Sequence, residues 1–110
     1  MAKPPESTKT NVTYYLKQHA KERWPQIESL DVRFRSNFAY VSAITVDDEE
    51  LPLCRLRYGG SASTWGFAVY LASKDGYENS MLPNGQFSGS PQDCLDCACG
   101  LYFGDPSAWS

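Results

Sequence analysis

Beyond Thr10, apolar residues recur at Val12, Tyr15, Leu16, His19, Ala20 and Trp24, the i, i+3, i+4 stripe of an amphipathic helix. The spacing predicts a first helix over 11–24, with Thr10 or Asn11 able to cap its first turn. Pro25 ends it, because proline lacks the amide proton and disfavours helical geometry in the residue before it. Leu30, Val32 and Phe34 then alternate with Asp31, Arg33 and Arg35, the period of a half-buried strand, and a second strand runs from Phe38 to Val46. With Ser36-Asn37 as a two-residue turn, the hairpin register follows. Phe34 faces Ala39, Val32 faces Val41 and Leu30 faces Ala43, while Arg35 meets Phe38 and Arg33 meets Tyr40 on the other side.

The acidic run Asp47 to Glu50 reads as a solvated turn. Leu53 to Tyr58 predicts a third strand, with Cys54, Leu56 and Tyr58 on one side and Arg55 and Arg57 on the other, broken by Gly59-Gly60-Ser61. Trp65 to Ala72 predicts a fourth, with Trp65, Phe67, Val69 and Leu71 on one face; its length and aromatic content place it at the sheet centre. The stretch 74–89 exceeds the usual connection of about 4 to 6 residues and, with Pro83-Asn84-Gly85 at a turn, has room for a small hairpin. Ser90 and Pro91 open a second helix over 91–103, with Asp93 completing an acidic version of the capping box. Asp105-Pro106 is a stop, and Trp109 an anchor onto the body.

The pattern predicts an α+β fold: a four-stranded antiparallel sheet flanked by an N-terminal and a C-terminal helix, in the order αββββα. At 110 residues one core is expected, over 11–106, with a polar flexible tail at 1–10 and a C-terminal tail at 107–110. Hydrophobic residues at 42% suffice for a packed interior. No window approaches the roughly 20 apolar residues of a membrane span, and the polar start has no apolar signal core, which predicts a cytoplasmic protein with no membrane partner. A net charge of −3 weighs against nucleic acid, whose dedicated binders carry a basic excess.

Helix–strand–helix order is shared in part with the double-stranded RNA-binding domain, but that fold starts its second helix with lysines, where this chain has Ser90-Pro91-Gln92-Asp93. Phosphate would be repelled there. Three stretches, Leu53-Cys54-Arg55-Leu56-Arg57-Tyr58-Gly59-Gly60, Trp65-Gly66-Phe67-Ala68-Val69-Tyr70 and Leu95-Asp96-Cys97-Ala98-Cys99-Gly100-Leu101-Tyr102, together resemble a group of small uncharacterised bacterial proteins, some associated with mobile genetic elements. The resemblance covers roughly 30–106. It implies no activity and no catalytic residues.

Four cysteines, Cys54, Cys94, Cys97 and Cys99, invite a zinc or redox reading. At about 100° per helical residue, Cys97 lies roughly 60° to one side of Cys94 and Cys99 roughly 140° to the other, so the three do not converge. Asp93 and Asp96 oppose a thiolate, which argues against low-pKa redox chemistry. The reading is four reduced core thiols with no metal and no cofactor, Cys99 being the most accessible because it falls on the polar side near Gln92 and Asp96. His19, the single histidine, lies in the apolar stripe and reads as a partly buried structural residue. The carboxylates of 47–50 lack calcium-loop spacing, and no glycine-rich loop precedes a helix. No complete acid–base or nucleophile set emerges, so a non-enzymatic protein is predicted.

What remains is one sheet face bearing Arg33, Arg35, Arg55 and Arg57 interleaved with Phe38, Tyr40 and Tyr70. These seven are the candidate binding residues. The expected function is a small non-catalytic binding or protein-interaction module, its partner another protein or a second copy of the chain. Two alternatives stand beside it. One is nucleic-acid binding through the same face; the other is a small ligand gripped by the 74–89 loop, which carries Tyr77, Met81 and Phe87.

Overall fold

A computed structural model describes residues 4–25, 27–45, 47–60, 64–71, 73–82 and 85–103, the last three as backbone. Trp109, the 107–110 tail and the Pro83-Asn84 part of the proposed turn lie outside the described residues. Helix α1 spans Glu6–Arg23 and helix α2 Pro91–Phe103. Between them lie β1 (Ser29–Arg35), β2 (Phe38–Ile44), β3 (Glu50–Tyr58), β4 (Trp65–Leu71), β5 (Gly76–Asn79) and β6 (Ser88–Gly89). The sheet is antiparallel in the order β1-β2-β3-β4-β5, with β6 also paired to β4. The fold is therefore the expected α+β arrangement with two short strands added.

The hairpin register is the one the alternation predicts, from Leu30 opposite Ala43 to Arg35 opposite Phe38, with Ser36 at φ 55° in the tight turn. On β3 the alternation changes phase. Val41 pairs Cys54 but Ser42 pairs Pro52, so Leu53 is the extra residue of a bulge. The bulge puts Leu51, opposite Ala43, on the same face as Cys54 and Leu56, and gives Pro52 a place in an interior strand. The strand consequently starts at Glu50 rather than Leu53, and only the preceding acids remain turn. By strand order β3 is the middle of the sheet and β4 its neighbour, a correction to the central placement of β4.

Among the described residues of 74–89, β5 and β6 do not pair with each other. Both short strands pair with β4: Gly76 to Asn79 against Leu71 to Ala68, and Ser88-Gly89 against Gly66-Trp65. Between them a tight turn closes through Leu82 N–H to Gln86 and Gly85 N–H to Leu82. A Cβ at Gly89 would meet the end of the Leu82 side chain, so any larger residue there requires Leu82 to shift.

Both helices pack on one face of the sheet. Val12, Leu16 and Ala20 of α1 and Cys94, Leu95, Cys97, Ala98 and Cys99 of α2 join Ala39, Val41, Leu56, Trp65 and Phe67 in one buried cluster. Helix α1 starts at Glu6, five residues before the predicted start at Asn11, behind Pro4-Pro5, and Tyr15, assigned to the apolar stripe, is 52% exposed. Pro25 ends it as expected, with Trp24 buried at the C-cap. Ser90 caps α2, its Oγ accepting from Asp93 N–H at 3.1 Å. No helix among the described residues is long and apolar enough to cross a membrane.

Candidate binding face

With the helices on one side, pairing carries the candidate residues into two transverse rows on the other. Arg35, Phe38, Arg57 and Gly66 are successive partners across β1 to β4. Two residues further along each strand, Arg33, Tyr40, Arg55 and Ala68 form the second row. Each row reads arginine, aromatic, arginine, small residue. Tyr70 stands beyond Ala68 on β4 and pairs Tyr77 of β5. All seven residues expected from the sequence lie on this face. Tyr77 joins them, a member the alternation did not supply because its facing is defined only once β5 is paired.

The rings form a continuous line. Phe38 and Tyr40 are 6.3 Å apart between centroids, Tyr40 and Tyr77 5.4 Å, and Tyr77 and Tyr70 5.4 Å, all tilted or edge-on. The Arg55 guanidinium enters this line, 4.6 Å from the Phe38 centroid and 5.6 Å from that of Tyr77. Burial pushes the Tyr77 phenol up, the neighbouring Cys54 and Tyr40 adding to the shift and Arg55 opposing it, so Tyr77 stays neutral. Tyr70 donates from its hydroxyl to Asp75 Oδ1 at 2.6 Å.

Charge divides the face. Arg33 is held by the chain's own acids, its Nε 2.7 Å from Asp31 Oδ2 and its Nη2 3.4 Å from Glu50 Oε1. Arg35, Arg55 and Arg57 have no carboxylate within ion-pair distance among the described residues. Arg57 lies along Gly66, where an added Cβ would stand 3.4 Å from the Arg57 Cβ and Nε. A recess of about 460 Å³ is lined by Gly66 and Ala68, by Arg55 and Arg57, and by Phe38 and Phe87. The 74–89 segment contributes Tyr77, Asn79 and Phe87 to this face.

The reactive residue types lie elsewhere. Cys54, Cys94, Cys97 and Cys99 are all buried and unpaired, which corrects the expectation that Cys99 is accessible. The polar side of α2 is the side on which α1 docks: Asp96 Oδ1 accepts from Trp24 Nε1 at 2.9 Å and lies 2.8 Å from His19 Nε2. Burial, aided by Asp93 for Cys94 and by Asp96 for Cys99, pushes both thiols up to about 12. Cys54 is also raised by burial. Neutral thiols of this kind are poor nucleophiles. Among the described residues no three histidine, cysteine or acidic side chains are grouped to hold a metal ion. Comparison with protein-family models, curated proteins and solved structures finds no match to this chain in any of the three, and the reading of function rests on the geometry of the sheet face.

Proposed function

We propose that this protein is a non-catalytic binding module that engages an acidic partner protein through the open arginine and aromatic face of its sheet. The observation that carries the reading is the pair of rows, in which Arg35, Arg55 and Arg57, without carboxylate partners among the described residues, stand with aromatic rings on the side the helices leave uncovered. A guanidinium held against a ring is partly ordered before binding and still offers a fork of donors to a carboxylate. Arg33 illustrates the match within the chain, since it already takes carboxylates from Asp31 and Glu50.

The same residue types suit single-stranded nucleic acid, and the line of four rings from Phe38 to Tyr70 favours that second reading. Two features weigh against it. The net charge is −3, and the acids bound to Arg33 lie on the face that a phosphate chain would cross.

Fluorescence anisotropy with a labelled glutamate-rich peptide and a labelled oligothymidylate separates the two. The expected result is peptide binding that falls at least about tenfold in an Arg55→Glu, Arg57→Glu double variant whose circular dichroism is unchanged. Binding confined to the oligonucleotide, and collapsing between about 50 and 200 mM salt, would replace the protein partner by nucleic acid. Peptide binding unaffected by the double variant, or absent, would overturn the proposal.

A further inference from the structure

The recess beside Arg55 and Arg57 is more specific than the face around it. It is lined by Gly66 and Ala68, the small members of the two rows, so no long side chain from β4 fills it there. Its guanidiniums are both restrained: Arg55 lies between the Phe38 and Tyr77 rings, and Arg57 along Gly66. Neither has a carboxylate partner among the described residues. Two phenyl rings, Phe38 and Phe87, share its lining with these polar groups, and Phe87 is 57% exposed. Asn79, which pairs Ala68 and also lines the recess, sets an amide at the rim.

We infer that this recess is a socket for the C-terminal residue of a polypeptide, with the free carboxylate on Arg55 and Arg57 and an apolar or aromatic side chain between Phe38 and Phe87. Such a residue carries three features in one small volume: a planar anion, an apolar group and the amide that joins it to the preceding residue. The recess offers a guanidinium pair, two phenyl rings and the Asn79 amide in the same arrangement. An aspartate or glutamate side chain supplies the anion but leaves the rings facing polar backbone, and a phosphate supplies no apolar group. At about 460 Å³ the recess lies within the range of sites that enclose a ligand of this size. Capture of a chain terminus by converging donors is a known mode of peptide recognition.

The inference rests on the proposed use of the sheet face and names what enters the recess beside Arg55 and Arg57. Isothermal titration and amide chemical-shift mapping with N-acetyl-phenylalanine, its carboxamide, N-acetyl-glutamic acid α-amide and inorganic phosphate test it. N-acetyl-phenylalanine is expected to bind at least about tenfold more tightly than the other three probes and to shift the Gly66, Ala68 and Asn79 amides. Arg57→Gln, an exposed substitution, is expected to weaken it about tenfold, and Gly66→Val to abolish the shifts by filling the recess. Equal binding of the carboxamide, equal or tighter binding of phosphate or the glutamate derivative, or no shift with any probe overturns the socket. If the glutamate-rich peptide still depends on Arg55 and Arg57 in that case, the socket alone fails and the binding face stands.

Discussion

The Arg55 guanidinium lies 4.6 Å from the centroid of the Phe38 ring, a diagonal contact across the β2–β3 ladder, where Arg55 pairs Tyr40 and Phe38 pairs Arg57. The two arginines of β3, neither with a carboxylate partner among the described residues, therefore differ in their attachment. Arg55→Ala should cost about 0.5–1 kcal/mol through the lost ring contacts, whereas Arg57→Ala should stay within about 0.5 kcal/mol. Urea denaturation of the two variants checks the order. A larger loss at Arg57 would mean that its path along Gly66, and not the aromatic line, organises the face.

Trp65 and Phe67 are both buried on the helix-covered face of β4, opposite Tyr58 and Leu56. Truncation of either to alanine should destabilise the fold by about 3–5 kcal/mol, the range for emptying a large aromatic site in a core. Chemical denaturation measures this, and a loss under about 1 kcal/mol in either variant would contradict their place in the core.

The hairpin and the sharing of one face by the four arginines were legible in the sequence because a two-residue loop and a period of two leave one register that puts Leu30, Phe34 and Val41 on the same side; the transverse rows needed the β2–β3 and β3–β4 pairings. The phase change on β3 was not legible, since nothing at Leu53 announces a bulge; the local clue is that Leu51 and Leu53 fall out of step with Cys54 and Leu56. Strands as short as β5 and β6 carry no periodicity, and they exist because β4 offers them an open edge. Thus Tyr77 and the place of Phe87 in the recess lay beyond local pattern. Helix α1 extends into a polar first turn for which the available signal was Glu6 behind Pro5, acidic residues being favoured at a helix N-terminus. Cys99 was misplaced because a single helix taken alone has a free polar side, whereas α2 is covered by the sheet on one side and by α1 on another.

That second covering depends on Asp96, whose Oδ1 takes the Trp24 indole N–H at 2.9 Å and lies 2.8 Å from His19 Nε2. Asp96→Ala leaves the buried indole N–H without its acceptor and should cost about 1–3 kcal/mol. Thermal unfolding reads the loss, while binding of the glutamate-rich peptide should be unchanged, because the substitution lies on the opposite side of the sheet. A variant as stable as the parent would show that the α1–α2 contact is held by apolar packing alone.

Alkaline pH should weaken the fold through the thiols. Cys94 and Cys99 are raised from the ordinary 9.0 to about 12 in the folded chain, so burial of the neutral thiol favours folding fully below pH 9.0. This contribution is lost as pH rises toward 12, because the unfolded chain releases the proton earlier. Each thiol then removes up to about 1.4 kcal/mol per pH unit within that window. Stability of Cys99→Ala followed from pH 8 to 10.5 should fall less steeply than that of the parent. Parallel curves would mean that Cys99 ionises as easily folded as unfolded.

The use of the sheet face is tested most directly by an amide chemical-shift titration of the isotope-labelled protein with an unlabelled glutamate-rich peptide. The expected map is a contiguous set on β2, β3 and β4, centred on Phe38, Tyr40, Arg55, Arg57 and Gly66, with α1 and α2 unmoved. Shifts confined to the helices, or none at saturating peptide, would contradict an acidic partner on this face.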